Sequence, residues 1–146
     1  MAIEQKLAAL HKANDVSQRL AAVPGIGLLT ALTLATSVDA AMFASARHFA
    51  AWVGLTPREH STGGKQRLGG ISKADNERLR SLLVTGAMAV IRHAKPGGRN
   101  ASPWLLRLLE HRPRKLAAVA LANKMARIAW AMMARGEDDR RAPVAA

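Results

Sequence analysis

A chain of 146 residues can enclose one domain with a sizeable core and is too short for two ordinary ones. Apolar residues make up 49% of it and aromatics only 3%, with alanine and leucine dominant, which favours closely packed helices over sheets. The 22 Lys and Arg against 10 Asp and Glu give a formal charge of +12, so polyanions are the expected partners. No run of 18 apolar residues is free of charge and no basic-then-apolar leader opens the chain, so nucleic acid is favoured over membrane; the absence of cysteine excludes disulfide and thiolate chemistry and is compatible with a cytoplasmic protein.

Leu7, Leu10, Val16 and Leu20 recur at near-helical spacing, predicting a first helix over residues 4 to 22 that ends before Pro24. The turn VPGIG at 23 to 27 then breaks the chain, and LLTALTLATSV resumes an apolar helix to about residue 37. A helix of about three turns follows in SARHFAAWVGL, with Ser45 as its N-cap, Phe49, Trp52 and Val53 as its buried stripe and Gly54 as its stop. TPREHSTGGKQRLGG has no apolar period and reads as a long basic loop or one containing a short hairpin.

Ser72 and Asp75 make a capping-box-like pair before a helix whose stripe is Leu79, Leu82, Leu83, Ala87, Val90 and Ile91, running to His93. KPGGRNASP is a polar break, and WLLRLLEH a short helix with Ser102 and Pro103 at its start. The last helix opens near Pro113, carries Leu116, Leu121, Met125, Ile128 and Met132, and stops at Gly136. This divides the chain into a connecting helix at 1–22, a domain at 23–136 and a patternless, disordered tail at 137–146. The fold class is all-α, a compact helical domain holding a helix-hairpin-helix unit and the long basic loop.

VPGIG admits two readings that can hold together. In a helix-hairpin-helix turn, Gly25, Ile26 and Gly27 present backbone amides to a DNA phosphate; in a tight corner, Ile26 plugs the core. Residues 57 to 80 carry Arg58, Lys65, Arg67, Lys73, Arg78 and Arg80 against Glu59, Asp75 and Glu77. Residues 92 to 115 carry Arg92, Lys95, Arg99, Arg107, Arg112, Arg114 and Lys115 against Glu110. Such runs are usually solvated faces, but cations beside glycine-rich loops are what tracking a phosphate backbone requires. Ser61 and Thr62 ahead of Gly63 and Gly64 read locally as turn formers, and His60, Lys65 and Arg67 are raw material for a nucleophilic site. The five histidines lack ligand spacing and the central acids read as caps and surface charges, so no metal site is expected.

Taken in order, VPGIGLLTALTL, FAAWVGLTPREHSTGGKQRLGGISK, NERLRSLLV and LANKMARIAWAMMARG give the chain a family resemblance over roughly residues 18 to 138. It closely resembles the C-terminal domain of insertion-sequence transposases related to the Piv/MooV invertases, serine recombinases guided by a bridge RNA. The resemblance implies a complete enzyme with an N-terminal RNase H-like domain bearing an acidic, Mg²⁺-binding tetrad, then a coiled coil, then this domain. It also implies DNA strand exchange through a serine that links covalently to DNA. The family's SSGGK-like motif falls on Ser61, Thr62, Gly63, Gly64 and Lys65, making Ser61 the candidate nucleophile, with Thr62 as the alternative hydroxyl. His60 is a candidate proton acceptor.

The family usually has glycine and then Asn or Asp where this chain has Asp75 and Asn76, which bears on the local loop geometry. The acidic domain lies outside the chain, so this chain alone is not expected to perform the full reaction or to bind a cofactor of its own. Expected partners are DNA, a guide RNA, a separate RNase H-like domain and further copies in a full assembly. The competing functions are a non-catalytic DNA- or RNA-binding remnant and, more remotely, a helix-hairpin-helix glycosylase, which the scarcity of aromatics for a base pocket disfavours.

Overall fold

The computed structural model describes residues 2–55, 73–98 and 101–136, and every regular element among them is helical. In chain order these are α1 (Ala2–Lys12), α2 (Asp15–Leu20), α3 (Leu28–Ser37), a 3-10 turn at Ala40–Met42, α4 (Ala46–Val53), α5 (Lys73–Arg92), α6 (Pro103–His111) and α7 (Arg114–Arg135). The all-α expectation is met. Helices α5 and α7 pair at the centre, α4 and α6 pack on α7, α3 packs on α5, and α1 and α2 lie against α3.

Local caps explain most of the helix ends. Ser45 accepts a hydrogen bond from the His48 amide at 3.1 Å to open α4, and Gly54 closes it in the left-handed region at φ 92°. Ser102 accepts from the Leu105 amide at 3.1 Å, with Pro103 at the first helical position of α6. Gly136, at φ 66°, terminates α7.

The single helix expected over 4 to 22 is instead two helices. Asn14 leaves the helical region at φ −117°, ψ 108°, and its side chain accepts from the Ser17 amide at 2.9 Å, opening α2. Asp15 follows in the first turn, where a negative charge suits the helix dipole. Ser17 is fully buried, and its hydroxyl lies 2.7 Å from His11 Nδ1, so the break is closed by a polar contact. Leu10, expected on a buried face, is 59% exposed, and α1 buries none of its residues.

The core stripe of α5 is Leu79, Leu83, Ala87 and Ile91, one residue per turn, with Leu82 and Val90 half-buried at its flanks. On α7 the buried residues are mostly alanines, at 117, 118, 122, 126 and 129, joined by Met125 and Met132. Short side chains let α7 approach its neighbours closely, whereas Leu116, expected in the core, is 59% exposed. By length and composition alone α7 could cross a membrane, but here it is the central helix of a packed core. Phe43, Phe49 and Trp52 form an aromatic cluster beside it, with ring centroids 5.1 to 5.9 Å apart.

The turn at 23 to 27 is fixed by contact with α5. Gly25 adopts φ 92°, and a Cβ placed on Gly86 would lie 1.9 Å from the Gly25 carbonyl oxygen, so two glycines meet backbone to backbone. Ile26 is 3% exposed, and its amide donates to the Val23 carbonyl at 3.0 Å. Gly27 is different. It is the extended N-cap of α3, it offers no side-chain bond, and a Cβ there would meet nothing within 4 Å. Gly27→Ser is therefore expected to stabilise the fold by a few tenths of a kcal/mol, roughly 1 °C in Tm, read by circular dichroism melting.

Candidate nucleic-acid interface

The expected serine motif falls between two described ends. Ser61, Thr62, Arg58, Gly63, Gly64, Lys65 and Arg67, with His60, lie outside the described residues. Lys73 is the first residue of α5. The structure therefore defines the frame from which the 56–72 segment departs at Leu55 and to which it returns at Lys73.

That frame is held by side chains from two helices. A helix end leaves its last four carbonyls without intrahelical donors. In α4 the Ala50 carbonyl accepts from the Gly54 and Leu55 amides at 3.1 and 3.0 Å, and the Ala51 carbonyl accepts from the Gly54 amide at 3.0 Å. The next two carbonyls are taken by α5: Asn76 Nδ2 donates to the Trp52 carbonyl at 2.9 Å and Arg80 Nη1 to the Val53 carbonyl at 3.5 Å. Beyond the helix, Asn123 Nδ2 of α7 donates to the Leu55 carbonyl at 3.4 Å. Arg127 Nε in turn donates to Asn123 Oδ1 at 2.7 Å, which orients the Asn123 amide with its donor toward Leu55.

One expected DNA ligand, Arg80, takes part in these contacts. Arg80 is half-buried and lies over Gly54, where an added Cβ would stand 2.5 Å from its Nη1. Its guanidinium is directed at the end of α4, with Nη1 3.5 Å from the Val53 carbonyl oxygen. Arg78, two positions earlier, is exposed. The three hairpin candidates sit in different surroundings. Ile26 has a buried side chain and a spent amide, Gly25 is packed against Gly86, and only Gly27 of the three is exposed.

The second basic run surrounds the α6–α7 corner. Arg107, Arg112, Arg114 and Lys115 are exposed there, with Arg92 and Lys95 exposed at the end of α5. Lys124 differs from these, its ammonium standing 4.4 Å from the centroid of the Trp104 ring. Among the described residues no group of three or more His, Asp or Glu is placed to hold a metal ion.

Sequence reasoning passed over Asn76, Asn123 and Arg127 as functional residues. Asn76 stood in a motif already quoted, but its partner Trp52 is 24 positions away, and Asn123 lies 68 positions from Leu55. No local signal marks such pairs.

Comparison with known sequences gives the class of the protein. Residues 17–102 match the transposase family IS116/IS110/IS902, and the chain belongs to that family. It is 51% identical to y4pF/y4sB of Sinorhizobium fredii, a protein named as a transposase, over 96% of this chain and 37% of that protein. It is 47% identical to the transposase for insertion sequence element IS1111A of Coxiella burnetii, over 92% of this chain and 37% of the relative. A pilin gene-inverting protein of Moraxella bovis is 35% identical over 53% of the chain and 24% of its own length. The chain thus spans less than two fifths of the length of these relatives.

Proposed function

We propose that this chain is the DNA-binding, serine-bearing C-terminal part of an insertion-sequence transposase, acting in DNA transposition or recombination in the cytoplasm. The observation that carries the reading is the family match through residues 17–102, which spans the Ser61 motif in a chain of charge +12. In the proposed chemistry the Ser61 hydroxyl oxygen attacks a DNA phosphorus, a phosphoserine ester forms, and the bond to the departing strand's sugar oxygen breaks. His60 takes the serine proton and the departing oxygen is protonated.

Lys65, Arg67 and Lys73 contact the phosphate, assisted by Arg58 and Arg78, while Gly63 and Gly64 allow close backbone approach. Gly27 and the first turn of α3 face a neighbouring phosphate. Arg107, Arg112, Arg114 and Lys115 extend the contact along the backbone of DNA or of a guide RNA. In this reading Mg²⁺ is held by the RNase H-like portion of a longer assembly, in which further copies of the protein take part.

Affinity for duplex DNA is expected to fall steeply with salt, with a log–log slope of roughly −0.9 per phosphate contacted, measured by fluorescence anisotropy. Replacing Arg112, Arg114 and Lys115 together by alanine lowers that slope by up to about 3 units if each meets one phosphate. An affinity indifferent to salt would contradict the phosphate-contact model. Strong salt-dependent binding with no covalent product under any condition would favour a non-catalytic nucleic-acid-binding role.

A further inference from the structure

The chain has three Trp and two Phe and no Tyr, and packing or bonding accounts for four of these five rings. Phe43, Phe49 and Trp52 fill the cluster beside α7, and Trp130 donates its indole N–H to the Ala40 carbonyl at 3.0 Å. Trp104 is the exception. It lies in the first turn of α6, half-buried at the edge of the core, and its indole N–H has no partner among the described residues.

A cation stands over that ring, the Lys124 ammonium 4.4 Å from its centroid. Among the described residues no carboxylate pairs with Lys124, so its charge is held by the ring alone. Arg107 follows Trp104 by three positions, which puts both on one side of α6, and it too is exposed without an ion-pair partner among the described residues. From 103 to 135 the sequence holds seven Lys and Arg against a single acid, Glu110, so the surroundings of the ring favour an anionic ligand.

A ring face beside two unpaired cations suits a base and its flanking phosphates, because every base has a π-face that stacks on an indole. In a duplex those faces are closed by stacking on one another, so the ligand is an unpaired base. An acidic peptide or a membrane surface would use the cations but leave the ring without a planar partner. A cation–π contact at a partly solvated ring is weaker than base stacking, so a base displaces the ammonium.

We propose that Trp104 is a stacking platform for an unpaired base of a DNA strand. The base takes the ring face that Lys124 covers in the free chain, Lys124 swings on its flexible stem to a phosphate of the same strand, and Arg107 meets the next phosphate. This rests on the DNA-binding reading above and not on Ser61.

The test compares oligo(dT), oligo(rU) and a DNA duplex of equal length by fluorescence anisotropy. Trp104→Leu is expected to weaken oligo(dT) binding roughly tenfold and duplex binding less than about twofold, with Trp104→Phe recovering most of the loss. Lys124→Met is expected to lower the salt slope for oligo(dT) by about 0.7, the value of one phosphate on a single strand. Equal losses on single strand and duplex, no loss on oligo(dT), a loss confined to oligo(rU), or an unchanged slope in Lys124→Met would each overturn the proposal.

Because Trp104→Leu also removes core packing, the unaltered chain supplies an independent reading. Irradiated with oligo(dT) carrying one iododeoxyuridine, it is expected to yield a peptide crosslinked at Trp104; crosslinks at other residues only would overturn the platform. A chain that binds duplex with steep salt dependence but no oligo(dT) defeats this proposal and leaves the DNA-binding reading standing. A chain that binds neither defeats both.

Discussion

Gly86→Ala is expected to be the most damaging single-methyl change in the protein. The added Cβ would lie 1.9 Å from the Gly25 carbonyl oxygen and 2.9 Å from its carbon, distances no real contact reaches. Neither side can yield cheaply. Gly25 is held at φ 92° in a turn whose next residue, Ile26, is buried and bonded to Val23, while α5 is packed against α3, α4 and α7. Relief requires a shift of α5 or of the turn, and overpacking of this kind costs about 3 kcal/mol or more. For a domain of this size that corresponds to a drop in Tm of roughly 10 °C. Thr85→Ala, one position earlier on the exposed side of the same helix, is the control and is expected to stay within about 0.5 kcal/mol. A Gly86→Ala protein melting with the parent would mean that the turn and α5 are not in backbone contact.

The largest functional effect is expected at Ser61. On the proposed chemistry Ser61→Ala removes the attacking oxygen, so covalent capture of DNA should disappear, while salt-dependent binding by the other cations persists within about twofold. Thr62→Ala tests the neighbouring hydroxyl and is expected to leave capture largely intact. Lys65→Ala should reduce its rate by roughly a hundredfold, the scale seen when one preorganised group facing a developing charge is removed. The pattern to look for is loss at one hydroxyl, attenuation at the cation and indifference at the second hydroxyl. Adduct formation that survives Ser61→Ala and vanishes in Thr62→Ala would reverse the two roles.

Much of the fold is local and therefore readable from the chain. Ser45, Ser102, Pro103, Gly54 and Gly136 set helix ends through bonds or backbone angles that depend on a few neighbouring residues, and the structure places those ends as expected. The break between α1 and α2 also had a local signal in Asn14 and Asp15, overridden in the reading by continuous apolar spacing from Leu7 to Leu20. Gly86 was a second unused signal, since an isolated glycine inside a helical pattern often marks a close approach. Leu116 misled because hydrophobicity alone does not say which face of α7 is inward, and close packing there favours alanine over leucine.

The site was less legible. Every cation between 57 and 80 counts equally toward net charge, yet Arg80 turns to the end of α4 and Arg78 to solvent, a choice made by the rotation of α5 against α4. Asn76 and Asn123 meet the same stretch of chain from helices far apart in sequence, so their convergence exists only in three dimensions. Residues 60 to 65, HSTGGK, read by themselves as a turn; family likeness alone singles out Ser61.

The central claim is tested most directly by locating the point of attachment between protein and DNA. The chain, joined to the remaining portion of a longer relative and supplied with Mg²⁺, a guide RNA and a nicked suicide substrate, should be trapped, digested and sequenced by mass spectrometry. The account predicts a nucleotide mass on the peptide containing Ser61, with fragment ions placing it on that serine and no such peptide in Ser61→Ala. Attachment at any other residue, or an undiminished adduct in Ser61→Ala, would contradict it.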